Sequence, residues 1–140
     1  DYLALVQNRL TPTSKEALRR GMVFEVDARI GRADDMADNV QRMVHPNGQT
    51  ARTRFEVLSV NAKAAALVCR LVEAGRTHQI RVHASHAGFP LMGDELYGGL
   101  SCEEANLPRV ALHAWRLMLR HPSSGETLQL SAPLPADIRK

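Results

Sequence analysis

Residues 75–99, GRTHQIRVHASHAGFPLMGDELYGG, bring two arginines, three histidines and two glycine-bounded turns into one short stretch. Thr77 is placed to cap a helix N-terminus, which sets Arg76 just ahead of free backbone N–H groups that already favour an anion. A guanidinium there can grip a carboxylate or phosphate through two parallel hydrogen bonds, and its charge would keep a neighbouring aspartate ionised. The plainer reading is a surface arginine at a helix start. His78, Arg81 and Ser85 fall on one side of the same helix, opposite Ile80, Ala84 and Ala87. That polar face either reaches an RNA backbone or is only solvated. His83 and His86 stand three apart and could share a metal, but no HExxH-type glutamate or second close ligand pair accompanies them, so no metal site is expected. His83 instead reads as a hydrogen-bonded histidine near the core, and His113 as the same within a strand. Asp94 is open to two readings, a catalytic acid or base and a turn residue binding backbone N–H groups.

These side chains need a scaffold. Ile80, His83, Ala84 and Ala87 recur at helical spacing over residues 77–87; Gly88 supplies a left-handed stop and Pro90 prevents resumption. Around this helix the period is that of strands. Residues 2–6, YLALV, form an apolar run with no turn or cap ahead of it, so the chain is expected to start in mid-structure, and a sheet cut at its first strand is open to an unpaired edge. Met22, Phe24, Val26 and Ala28 alternate with more polar partners over residues 22–30. Pro46-Asn47-Gly48 separates residues 40–44 from residues 52–60 and predicts a hairpin, since Asn-Gly suits positive φ angles. In the second arm Thr53, Phe55 and Val57 face one way and Arg52, Arg54 and Glu56 the other. Leu67, Cys69 and Leu71 share a side of the next strand. Two more strands are predicted at residues 110–120 and 127–132, with Leu128, Leu130 and Ala132 inward and residues 122–125 as the turn. Residues 34–39 and the connection through Thr11-Pro12-Thr13 read as loops. The class is α+β, a mainly antiparallel mixed sheet with few helices, in one domain without internal repeat or linker.

Composition agrees with a single globular unit: 140 residues, 44% hydrophobic and 24% charged. No run approaches the ~18 apolar residues of a membrane span, and the first residues lack the order of a signal peptide. Cys69, in the run ALVCRLV, reads as a buried thiol, which implies a reducing, cytoplasmic compartment. The net charge is +3, yet fifteen of the eighteen basic residues are arginine and three are lysine. That imbalance leans towards nucleic acid, or reflects a genome that favours arginine.

Taken together, the motifs resemble the RluA family of RNA pseudouridine synthases. The family's third motif is similar to GRTHQIRVH at residues 75–83. Its H-x-G-x-P-hydrophobic-x-GD-x-x-YG stretch is matched from His86 to Asp94 and by Tyr97-Gly98. YLALV, IGR at residues 30–32, ARTRFEVL at 51–58, ALHAWRL at 111–117, HPSSGE and APLPAD extend the likeness over nearly the whole chain. The resemblance implies a cofactor-free isomerase of ribosomal or transfer RNA. Such an enzyme flips a uridine out, breaks its glycosidic bond, turns the base and joins C5 to the sugar. In the family the nucleophile is the aspartate of an R-L-D-x-x-T-S-G-like motif, a tyrosine of a KxYxALV motif lies against the base, and the arginine of GRTHQIR pairs with the aspartate. Carried over, this implies catalytic roles for Tyr2 and Arg76 and a pocket wall at Ile80, with His78 and Arg81 as substrate-binding residues. No R-L-D-x-x-T-S-G-like stretch occurs here, and Asp94 is no substitute, because the family has its own aspartate at that position. Residues 1–140 are therefore expected to be the C-terminal part of a synthase catalytic domain, with the missing N-terminal half supplying the nucleophile. Residues 32–41 also lack the family's usual basic run. The alternatives are a non-catalytic RNA-binding module using Arg52, Arg54 and Arg81, and a metal-dependent hydrolase using His83 and His86.

Overall fold

Alternation along β5 (Arg52–Val60) sets the architecture: Thr53, Phe55 and Val57 are fully buried while Arg54 on the opposite face is exposed. The structure is a computed structural model describing residues 1–8, 16–32 and 40–139. The loops expected at residues 34–39 and through Thr11-Pro12-Thr13 lie outside the described residues. β5 sits second in a five-stranded sheet with β1 (Tyr2–Gln7), β2 (Val23–Asp27), β6 (Ala64–Glu73) and β7 (Leu112–Ala114), in the order β2-β5-β6-β1-β7. Every pairing is antiparallel. β1 is not an edge: Tyr2 faces Cys69 on one side and Ala114 on the other.

The inward face of this sheet carries Val6, Val26, Phe55, Val57, Leu67 and Cys69, and the helix α1 (Gln79–His86) covers it with Ile80 and Ala84. Phe24 stacks on Phe55 at 5.0 Å between ring centroids. His83 is buried on the same helical face, as its spacing predicts, and Gly88 at φ 87 ends the turn. On the other sheet face Leu3 and Val68 are covered by Ile138 of the C-terminal tail. Cys69 is fully buried, which pushes its thiol up to about 12 and keeps it protonated. No helix among the described residues is long and apolar enough to cross a membrane.

Four expectations need correction. The helix starts at Gln79, with His78 and not Thr77 at its N-cap position, left-handed at φ 57 and without a side-chain cap bond. The run at residues 22–30 divides after Asp27, since β3 (Ile30–Arg32) leaves β5 to pair with β4 (Arg42–Val44). The hairpin at Pro46-Asn47-Gly48 is consequently absent: its turn closes through Gly48 N–H to His45 O at 2.9 Å, but β4 and β5 do not pair. Finally, residues 110–120 break at Trp115. Beyond Ala114 the Trp115 and Arg116 N–H groups both donate to Asp1 O, and among the described residues β8 (Arg116–Arg120) pairs only with β9 (Thr127–Ser131), in a separate ribbon. Leu130, expected inward, is therefore 55% exposed.

Gly48 is needed for space. A Cβ there would lie 2.5 Å from the Ile30 carbonyl carbon, because Ile30 exchanges two backbone hydrogen bonds with Gln49. Gly48→Ala should destabilise the protein by about 1–3 kcal/mol, read from urea unfolding. An unchanged midpoint would contradict this packing.

Candidate active site around Arg76

The loop between β6 and α1 is shaped by two left-handed non-glycine residues, Ala74 (φ 62) and His78 (φ 57), on either side of Arg76. Such conformations cost of order 1 kcal/mol or more each and persist only where the surroundings hold them. Gln79 supplies that hold. Its backbone N–H bonds Arg76 O at 3.0 Å, and its side-chain Oε1 accepts the Arg76 N–H, also at 3.0 Å. Its Nε2 faces Arg52 O, Thr53 Oγ1 and Glu73 O at 3.2, 3.1 and 3.3 Å. The Arg76 side chain is partly exposed, and its Nε donates to Thr50 O at 3.1 Å. Among the described residues it forms no ion pair, whereas Arg19, Arg54, Arg70, Arg81 and Arg109 each meet a carboxylate.

Tyr2, Arg76, His78, Ile80 and Arg81, the five residues expected at a site, all line one cavity of about 240 Å³, together with Leu71, Gly75, Gln79 and Leu112. Strand β1 brings Tyr2, the helix start brings Arg76 and His78, and the first turn of α1 brings Ile80 and Arg81. Leu71, Ile80 and Leu112 give an apolar wall and the arginines a polar rim. A larger groove of about 340 Å³ lies apart, between β2 and the end of α1, and contains no arginine or lysine.

The polar face of α1 is neither free nor simply solvated. Arg81 donates from Nε and Nη2 to the two oxygens of Asp94 at 2.8 and 2.7 Å, and its guanidinium lies 4.8 Å from the centre of the Tyr97 ring. Asp94 is thereby neither a free acid or base nor a turn cap: its side chain makes no cap bond, and only its backbone O takes the Tyr97 and Gly99 N–H groups. Ser85 Oγ donates to Tyr97 O at 2.7 Å. The Tyr97 hydroxyl accepts the Arg42 N–H at 3.0 Å and lies 2.8 Å from His78 Nδ1. The contact ties the ring to the hydroxyl whichever of the two donates. Burial, with the Arg81 charge adding to it, lowers the His78 pKa.

His83 is engaged at both nitrogens, Nδ1 with Thr53 Oγ1 at 2.8 Å and Nε2 with Ala28 O at 2.9 Å. Among the described residues no group of three or more His, Cys, Asp or Glu side chains is placed to hold a metal. Gln79, Thr53 and Tyr97 were not legible as site residues. Gln79 could have been noticed as an amide beside Ile80 in a helix start, but its partners are distant in sequence.

Burial also lowers the His83 pKa, so His78 and His83 both sit below the ordinary histidine value of 6.5. The unfolded chain then binds more protons than the folded one, and stability present above about pH 6.5 is lost as the pH falls through that value. The melting temperature should be lower at pH 5.5 than at pH 7.5. A transition that is flat or rises on acidification would contradict the neutral state of both rings.

A family model described as RNA pseudouridylate synthase matches residues 1–86. The ribosomal large subunit pseudouridine synthase D of Nitrosomonas europaea is 43% identical over 143 residues, an alignment covering 98% of this chain and 38% of that protein. An uncharacterized RNA pseudouridine synthase of Bacillus subtilis, YjbO, is 46% identical over 139 residues, covering 99% of this chain and 44% of its own length. The chain thus spans less than half of either relative. Among solved structures, human RNA pseudouridylate synthase domain containing 1 superposes with a TM-score of 0.71 at 26% identity, over 96% of this chain and 54% of the other.

Proposed function

The chain belongs to the RluA family of RNA pseudouridylate synthases, and from that premise we propose that residues 1–140 are the later part of a catalytic domain that isomerises uridine to pseudouridine in ribosomal or transfer RNA. The observation that carries the proposal is Arg76: a guanidinium on the rim of an apolar-walled cavity, beside Tyr2, with its terminal nitrogens unpaired by any described carboxylate.

The nucleophile is an aspartate from the preceding half of the domain, and Arg76 receives it. Two parallel N–H···O bonds orient the carboxylate, and the arginine's charge keeps it ionised at neutral pH. The flipped uracil lies against the Tyr2 ring and the wall formed by Leu71, Ile80 and Leu112. The carboxylate attacks C1′ and displaces the uracil through N1, the base turns within the cavity, and C5 attacks C1′ and displaces the carboxylate; the C5 proton is then lost to solvent and N1 takes one up. His78, neutral and tied to Tyr97, and Arg81, neutralised by Asp94, contribute shape and polar edge at the far side of the pocket. The reaction needs no cofactor or metal on this reading. The free, buried Cys69 fits a reducing, cytoplasmic setting.

The test is an assay of the full-length gene product and of residues 1–140 on ribosomal and transfer RNA carrying C5-tritiated uridine. Tritium release by the full-length protein alone is expected. Release by residues 1–140 would place the nucleophile within this chain. RNA binding without release by the full-length protein would leave a non-catalytic RNA-holding module.

A further inference from the structure

We propose that Thr53 and His83, buried behind the cavity, are positioning residues that set Arg76 through a one-way chain of hydrogen bonds relayed by Gln79. The proposal rests on the role given to Arg76 above.

The direction of the chain follows from its far end. His83 Nε2 is 2.9 Å from Ala28 O, and a carbonyl oxygen can only accept, so Nε2 carries the hydrogen. The ring is fully buried and its pKa is lowered, so it is neutral and Nδ1 is a bare acceptor. Thr53 Oγ1, 2.8 Å away, must then donate its one proton to Nδ1. Having donated, the hydroxyl can only accept from its other partner, which is the Gln79 side chain at 3.1 Å. The amide nitrogen is therefore the end facing Thr53. The carbonyls of Arg52 and Glu73 impose the same orientation independently, since both need a donor there. Only Oε1 is left for Arg76, where it accepts the backbone N–H at 3.0 Å. Each group has one permitted role, and the aligned dipoles reinforce one another.

The chain joins the β2–β3 connection, β5 and α1 to the loop that carries the arginine, and Gln79 within it is only 2% exposed. Neither Thr53 nor His83 lines the cavity. What they fix is the main chain at Arg76, between the left-handed residues Ala74 and His78, at a helix start that has no side-chain cap bond. Loss of the relay would let the guanidinium wander from its working position while leaving the cavity wall in place.

Thr53→Val keeps the shape and removes the hydroxyl; Thr53→Ser keeps the hydroxyl. In the full-length synthase, Thr53→Val should lower kcat by about tenfold to a hundredfold, as misplacement by an ångström does, with KM held within about twofold. Thr53→Ser should recover most of that loss. Hydrogen exchange at the Arg76 amide, followed by NMR in the same proteins, should be slow in the wild type, fast in Thr53→Val and slow again in Thr53→Ser. Nitrogen shifts of the wild-type His83 ring should show hydrogen on Nε2 and none on Nδ1. An Nδ1–H ring, equal losses in both variants, or unchanged kcat and exchange in Thr53→Val would overturn the proposal. Should the wild type not turn over RNA, the synthase reading fails, while amide exchange and the ring tautomer still decide whether the relay exists.

Discussion

Replacing Arg76 by alanine in the full-length protein is expected to lower pseudouridine formation by about a hundredfold to a thousandfold, the loss that follows removal of one preorganised electrostatic partner at a reacting centre. The same change should scarcely touch stability. Among the described residues the Arg76 side chain is tied to the fold by its Nε bond to Thr50 O alone, and losing one such partly exposed bond costs about 1 kcal/mol or less. This separation is what distinguishes a partner for an incoming carboxylate from a structural brace. Arg76→Lys should also fail substantially, because an ammonium is a point charge and cannot present two parallel donors. Single-turnover assays beside urea unfolding would check both halves of the expectation. Turnover near the wild-type rate in Arg76→Ala would remove the role given to this residue.

The converse is expected five residues along. Arg81 and Asp94 form a two-pronged pair whose side chains are 18% and 1% exposed, so the carboxylate has almost no water to fall back on. Arg81→Ala leaves that charge buried and unmatched, and should destabilise the protein by about 3–5 kcal/mol. The damage should spread to the turn at Glu95–Tyr97, whose backbone and ring are tied to Ser85, His78 and Arg81. Changing both partners at once, Arg81→Met with Asp94→Leu, should cost less than Arg81→Ala alone, because no unpaired charge remains. A double variant no more stable than the single one, by thermal and urea unfolding, would show that the pair's geometry rather than its charge holds the turn.

Sequence periodicity revealed which side of β5, β6 and α1 faces inward, though not that of the last strand, where Leu130 is exposed. The buried set on β5, the inward side of β6 and the helical stripe through Ile80, His83 and Ala84 all stand where the spacing of apolar residues puts them. The α+β class and the antiparallel β5–β6 meander follow from the same pattern. Neighbours were harder, because alternation says that a strand has a core side and not which strand lies beside it. Hence β1 proved to be interior, β4 paired with β3, and the last two strands left the sheet at Trp115 as a ribbon. At the candidate site the residue types around Arg76 were visible, and their gathering with Tyr2 into one cavity was expected from the resemblance. The bonds that place them were not. Thr77 was the better cap by type, yet His78 takes the left-handed position because Gln79 folds back on Arg76. Asp94 was ambiguous until Arg81 was found against it, a partnership between a helix and a turn that no local pattern encodes.

The interior place of β1 bears on how the molecule is made. Both of its partners lie later in the chain, so Tyr2 cannot meet them until Cys69 and then Ala114 have been synthesised. Throughout that interval the apolar strand waits for both of its partners, and pairings this distant along the chain form slowly. An apolar strand without its partners is a general site of unwanted strand pairing, and the burial of β1 between β6 and β7 removes that hazard once the sheet is complete.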